Sequence, residues 1–438
     1  MMEVAASAAA AVHGMLKSTH PIKGKWHKIS APPLARSSHS LSVVSGRAYI
    51  FGGETQAREP VDNEMHIIVL PSGTVTEADY KAVPARGGEV PEKRVGHTAA
   101  VIGERIFVFG GRGGKEMKPL QEKGRVWVYD TRTDAWEILD PLPDTPYPAP
   151  RSYHASVGVE TPRPSKTDGG ITEESEHGYG TLFIHAGCLE SGRTNDLWGF
   201  DIKSCTWKEF PSAPGKPRGG TSLAVSKQRI FRFGGFNGEA EEGGQVDFLE
   251  LVADTMSDIS GEGQGQVAVS SRGSWQSLNF EGDTSPAEAG TESGAATYPG
   301  PRSVAGLHAM TTGMGREYLV LLLGERDASA AGHEGAGKFW SDVWALQVPP
   351  LGATGASIKD ATWQALGRET GEGLWSEVYV GDAEGREGDD VRHLIPAPRG
   401  WFASAALGDL DAAGVVLWGG LNERNQREAD GWILRLGS

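Results

Sequence analysis

The chain has 438 residues and a formal net charge of −15. That length suits two or three ordinary domains or one closed repeat architecture. No block of Lys and Arg offsets the acidic field, so nucleic acid and anionic membrane surfaces are poor partners. Apolar residues make up 38% of the chain, enough for a large core. The 61 Gly and 13 Trp suit many tight turns between short, aromatic-anchored strands. Cys188 and Cys205 are the only cysteines, so no disulfide framework is expected.

The first stretch, MMEVAASAAAAVHGMLKS, places Glu3 before its apolar run and no basic residue there. It reads as a short helix within an N-terminal extension, residues 1–23, and not as a secretory signal or membrane span. A cytoplasmic protein is the expectation.

From residue 24 onward the chain repeats. An Arg precedes a strand of small or apolar residues at Arg36, Arg94, Arg151, Arg218, Arg302 and Arg399. A second strand then ends in Gly52-Gly53, Gly110-Gly111, Ala186-Gly187, Gly234-Gly235, Leu323-Gly324 or Gly419-Gly420. A third follows, as in RVWVYD and DVWALQV, and a fourth carries an aromatic at Tyr80, Trp136, Trp207, Trp275 and Trp363. β-Branched and aromatic runs between Gly, Asp and Pro punctuation read as strands. Four such strands per unit with a late Trp predict the blade of a β-propeller.

The last unit, ending in GWILRLGS, lacks a fourth strand, and GKWHKIS near the N-terminus supplies one, with Trp26 at the aromatic position. The prediction is an all-β, six-bladed propeller closed by an N-terminal strand, which removes exposed sheet edges. The blades lie near 36–93, 94–150, 151–216, 217–298, 299–396 and 397–438, the last completed by 24–30. The spacing between successive Arg residues grows from 58 to 97 residues, so insertions accumulate toward the C-terminus. Residues 160–180, 254–273, 281–298 and 367–396 are rich in Gly, Glu, Ser and Thr and read as exposed loops. Repetition of the strand-preceding Arg in every blade assigns it to blade geometry, and His39, His97, His154 and His308 near it are read as structural for the same reason.

In this register the residue after each Gly pair begins a loop between second and third strands. Those residues are Glu54, Arg112, Cys188, Phe236, Glu325 and Leu421. By pseudo-symmetry all six should ring the channel mouth on one face of the disc, a natural place for a ligand pocket.

The repeat is similar to the kelch family over nearly the whole chain. Within it, GERDASAAGHEGAGKFWSDVWAL (324–346) and PRGWFASAALGDLDAAGVVLWGG (398–420) resemble the plant specifier proteins, the nitrile-, epithio- and thiocyanate-forming group. That resemblance implies an Fe(II)-dependent lyase acting on an unstable sulfated thiohydroximate. The family's iron loop, E-x3-D-x3-H, matches Glu325 and His333, with Ser329 in place of the Asp. The resemblance also implies Arg112 and Arg193 as the residues that hold the substrate's anionic group, with Glu54 at the same rim. A carboxylate and an imidazole suit a first-row divalent ion, and Asp327 could replace the missing ligand. Without metal, His333 would be an acid–base group or a structural one, and Arg112 would either hold an anion or pair with Glu54.

Two functions follow. One is a small-molecule enzyme, a lyase or isomerase acting on a reactive, anionic compound at the channel mouth. The other is a non-catalytic kelch scaffold that binds a protein partner through its loops. Fold alone does not choose between them.

Overall fold

The computed structural model describes residues 22–71, 78–163, 178–253, 269–281, 297–312, 315–332, 335–351, 355–365, 370–380, 395–408 and 413–437. The expected N-terminal helix and His333 lie outside these described residues. The structure is a six-bladed propeller of antiparallel sheets. Each blade runs outward from the axis in chain order, as in blade two: Thr98–Ile102, Arg105–Phe109, Val126–Asp130 and Ala135–Leu139.

Blade six is closed as predicted. The strand Lys23–Lys28 pairs antiparallel with Gly431–Gly437, placing Trp26 opposite Leu434. Tyr379–Val380 then adds a parallel fifth strand outside Lys23–Lys28. The chain leaving blade five therefore covers the edge that blade six would otherwise expose.

Six hydrophobic clusters hold the ring, one at each blade interface. In each, an aromatic in or beside the outer strand of one blade packs with the residue just before the Gly-pair position of the blade before it. Trp136 packs on Phe51 at 4.9 Å between centroids, Trp207 on Phe109 at 5.2 Å, and Trp375 on Phe233 at 5.7 Å. Trp275 meets His185 in the same way, and Trp26 and Tyr80 share clusters with Leu322 and Trp418. Each such burial is worth about 2–3 kcal/mol. Blade five corrects the sequence reading. Its outer-strand aromatic is Trp375, whereas Trp363 lies in an inserted α-helix, Gly355–Ala365.

The repeated Arg residues tie the blades together. Each guanidinium Nη1 donates to the carbonyl of the first residue of its own blade's Gly pair, at 2.8–3.2 Å. Each also pairs with a carboxylate on the loop or strand that follows: Asp62, Glu122, Asp196, Glu242, Asp342 and Asp430, at 2.5–3.6 Å. The Arg carbonyl meanwhile accepts the N–H of the second Gly of the preceding blade. These bonds run from Gly53 to Arg94 around to Gly420 and Arg36, at 2.8–3.1 Å. A Cβ at Gly52 or Gly419 would meet that next Arg carbonyl at 2.7 or 2.4 Å, and both residues have positive φ, so glycine is favoured there. Ala186 and Leu323 occupy the same left-handed conformation with side chains attached, at φ 59° and 48°.

A second ring of backbone hydrogen bonds lies closer to the axis. Gly96, Tyr153, Gly220, Val304, Trp401 and Ser38 each donate to the preceding member of that circle, at 2.7–3.3 Å. All six have positive φ, which turns their side chains or Cα atoms into the channel. Val304 is the costliest, because a β-branched residue is poorly tolerated there. His97 and His154 brace the same region by hydrogen bonding with Ser40 and Thr98 of the preceding blade, at 3.0 and 2.8 Å. His308 bonds Ser404 of blade six at 2.8 Å. Among the described residues no helix is long and apolar enough to cross a membrane.

Candidate functional site

The inner backbone ring divides the channel into two cavities. Ser38, Tyr153, Gly220, Val304 and Trp401 line both. The larger, about 490 Å³, is walled by the six innermost strands and has no Asp, Glu, Lys or Arg among the described residues that line it. The smaller, about 200 Å³, opens among the loops between second and third strands, and the charged residues gather there.

The register placed those loops correctly. Glu54, Arg112, Cys188, Phe236, Glu325 and Leu421 each form the same antiparallel bridge, to Ser37, Val95, Ser152, Gly219, Ser303 and Gly400. Five of the six line the smaller cavity, together with Arg193 and Arg427. Arg112 sits just behind it. Its Nε donates to Ser152 Oγ at 2.6 Å, and its guanidinium lies 5.6 Å from the Tyr153 ring centroid.

Arg193 begins the third strand of blade three, Arg193–Asp201, opposite Cys188. It lies over the ring of Phe236 in blade four, 5.2 Å from the centroid. Neither Arg112 nor Arg193 forms an ion pair among the described residues. Burial pushes the Cys188 thiol up, and the nearby Arg193 and Arg112 only partly offset it, so this thiol is held protonated.

Glu54 does not pair with Arg112. Its Oε1 accepts from Arg427 Nη2 at 3.0 Å, and its Oε2 accepts the backbone N–H of Arg58 at 2.8 Å. Arg427 comes from the equivalent loop of blade six, so this nearly buried pair crosses the seam between the first and last blades. Sequence reasoning missed Arg427, because nothing in the repeat marks a position six residues into a variable loop.

Glu325 is 5% exposed. Burial pushes its carboxyl up to about 7, and Asp327 adds to the rise; a side-chain hydrogen bond from Trp401 opposes both. Glu241, in blade four, was also missed. Burial raises it to about 8, helped by the negative charges of Glu325 and Asp327 and opposed by the Ser303 hydroxyl. Two carboxyls that influence each other, neither with a cationic partner among the described residues, thus hold protons near neutral pH, and of the two only Glu325 lines the pocket.

Ser329 lines the pocket beside Glu325. Asp327 does not. Its side chain is 58% exposed and pairs with Arg326 at 3.0 Å. Among the described residues no three His, Cys, Asp or Glu side chains form a metal-ligating group. The described donors of the suggested iron loop are therefore one desolvated carboxyl and one hydroxyl, which do not by themselves hold Fe(II).

The comparisons agree with this architecture. The KLHDC2/KLHL20/DRC7 Kelch-repeats domain matches residues 16–163. Kelch domain-containing protein 3 of Bos taurus is 31% identical over 234 residues, covering 50% of this chain and 53% of that protein. N-(sulfonatooxy)prop-2-enimidothioate sulfolyase of Thlaspi arvense is 27% identical over 225 residues, covering 49% of this chain and 57% of the sulfolyase. The chain thus spans about half the length of the curated relatives it matches. The solved structure of YjhT aligns with a TM-score of 0.54 at 13% identity, over 93% of this chain and 99% of that one; that likeness concerns the fold alone. The chain is a six-bladed β-propeller whose residues 16–163 match a kelch-repeats domain. It also resembles the specifier proteins by motif and the Thlaspi sulfolyase by sequence.

Proposed function

We propose that the loop-face pocket binds a small anionic molecule and transfers a proton on it, making the protein a lyase or isomerase of the specifier type. The observation that carries this reading is the pocket's asymmetry. Arg193, with Arg112 behind it, lies at one wall without a carboxylate partner among the described residues. At another, Glu325 is buried beside Trp401 with a carboxyl that titrates near neutrality. A group poised near the working pH serves as acid or base, and partly desolvated guanidinium groups stabilise charge on a leaving anion. The substrate named for the Thlaspi relative, N-(sulfonatooxy)prop-2-enimidothioate, is an anion of this kind. Arg112 and Arg193 would hold its sulfate end, and Glu325 would exchange the proton.

The test is incubation with that compound, following sulfate release and product ratios against a protein-free control. Glu325→Gln should abolish any change while leaving sulfate binding in place. Arg112→Ala with Arg193→Ala should weaken binding by a few kcal/mol, as for charge-assisted hydrogen bonds in a partly buried site. Unchanged binding in the double variant would overturn the assignment.

A second reading rests on the match to Kelch domain-containing protein 3: a scaffold whose loops bind a protein partner. It predicts binding without turnover, so Glu325→Gln would leave function intact.

A further inference from the structure

Resting on the anion site just described, we propose that the pocket takes a small dianion with an acceptor group at each end, a short dicarboxylate by class, held between Arg193 and Arg427. These two residues belong to blades three and six, which stand opposite each other in a six-membered ring, as the contact of Tyr153 with Trp401 across the axis also shows. Both line the same cavity of about 200 Å³.

Their hydrogen bonding is incomplete in the same way. The Nε of Arg193 and the Nε of Arg427 are both buried without a partner among the described residues. Buried donors in native proteins are nearly always paired, so two orphans on one pocket point to a ligand. Arg427 is engaged at both terminal nitrogens, which leaves Nε: Nη2 reaches Glu54 Oε1, and Nη1 reaches the carbonyl and Oδ1 of Asn425, at 3.3 and 3.2 Å. Its side chain is 6% exposed, which fixes the guanidinium in place. A monoanion would satisfy Arg193 and leave Arg427 as it is, whereas a dianion engages both. Most of the remaining wall is apolar, formed by Tyr153, Phe236, Val304, Trp401 and Leu421, with Ser38, Ser303, Ser329 and the Glu325 carboxyl as its polar points. That lining favours a hydrocarbon spacer over a polyhydroxylated one.

The experiment is calorimetric titration of the full chain at constant ionic strength. The probes are acetate and butyrate against malonate, succinate, glutarate and adipate. One dicarboxylate length should bind at least tenfold tighter than a monocarboxylate, because two fixed guanidinium groups select a spacing. Arg427→Gln should erase that preference, while Arg193→Ala should weaken the binding of both acid types. Should Arg427→Gln melt at a sharply lower temperature, Glu54→Gln replaces it. That variant releases Arg427 and should widen the dicarboxylate preference. Equal affinity for one-ended and two-ended acids, or a preference that survives Arg427→Gln and is unmoved by Glu54→Gln, overturns the second end. In that outcome a loss of monocarboxylate binding in Arg193→Ala would still stand for the anion site, so the two readings fail separately.

Discussion

Tyr153 and Trp401 meet edge to face across the channel, with centroids 5.2 Å apart and ring planes at 85°. Trp401 therefore serves two neighbours. Its ring closes the floor of the pocket, and its side chain hydrogen-bonds the Glu325 carboxyl. Trp401→Phe preserves most of the floor but removes the N–H that favours the carboxylate. The Glu325 carboxyl should then titrate roughly one unit higher. A carboxyl-resolved NMR titration of the variant against the parent reads this directly, and coincident curves would mean that Trp401 does not hold Glu325.

Stability should peak near pH 7. His39, His97, His154, His185 and His308 are buried with pKa values lowered by desolvation. The unfolded chain binds more protons than the folded one below the ordinary histidine value of 6.5, so stability falls as pH drops from there. Glu325 and Glu241 act in the opposite sense. Their folded values, about 7 and about 8, exceed the ordinary 4.5. Their contribution is complete below 4.5 and is lost as pH rises through 7 and 8. Between about pH 7 and 9 the Glu effect outweighs what remains of the histidine effect, for a net loss of about 1 kcal/mol. Thermal melts should decline over that interval, and Glu241→Gln with Glu325→Gln should flatten the decline. A flat parent profile would show that neither carboxyl is shifted.

Two classes of arginine should separate cleanly. Arg302 is fully buried, bidentate with Asp342, and donates to the carbonyl of Leu323. Arg302→Met leaves that carboxylate without its partner and should cost about 3–5 kcal/mol of stability by chemical denaturation. Arg193→Ala should cost less than about 1 kcal/mol while removing anion affinity. A large loss of stability in Arg193→Ala would place it with the structural set.

Ring closure is testable at Trp26, which is 7% exposed in the cluster shared by blades five and six. Trp26→Ala should destabilise by about 3–5 kcal/mol. An unchanged unfolding midpoint would contradict a closure made by this strand.

The two left-handed positions without glycine offer a contrast. Ala186 has φ 59° and its equivalents in four blades are Gly. Ala186→Gly should raise stability by at most about 1 kcal/mol, since relieved strain competes with a more flexible unfolded chain. A clear loss would mean that the Cβ packs usefully.

The blades were legible in the sequence because each carries the same three physical demands: a buried Arg, a left-handed turn, and a large outer aromatic. Where an insertion interrupts the period, the reading slipped. Trp363 was taken for the outer strand of blade five because it is the first Trp after DVWALQV, yet a helix intervenes and Trp375 fills the position. The site was half legible. Glu54, Cys188, Phe236, Glu325 and Leu421 keep the register, so their place could be counted. Arg427 and Glu241 come from loops whose lengths vary, and Tyr153 and Trp401 owe their roles to contacts between opposite blades, which no local spacing encodes.

The inner backbone circle has a kinetic corollary. Its six hydrogen bonds close on themselves like those of a cyclic peptide, and two aromatic rings fill its centre, so the channel is not a passage from one face to the other. Whatever enters among the loops must leave by the same mouth. Under the proposed reaction, substrate and product would share one doorway, so product must clear it before the next molecule can be admitted.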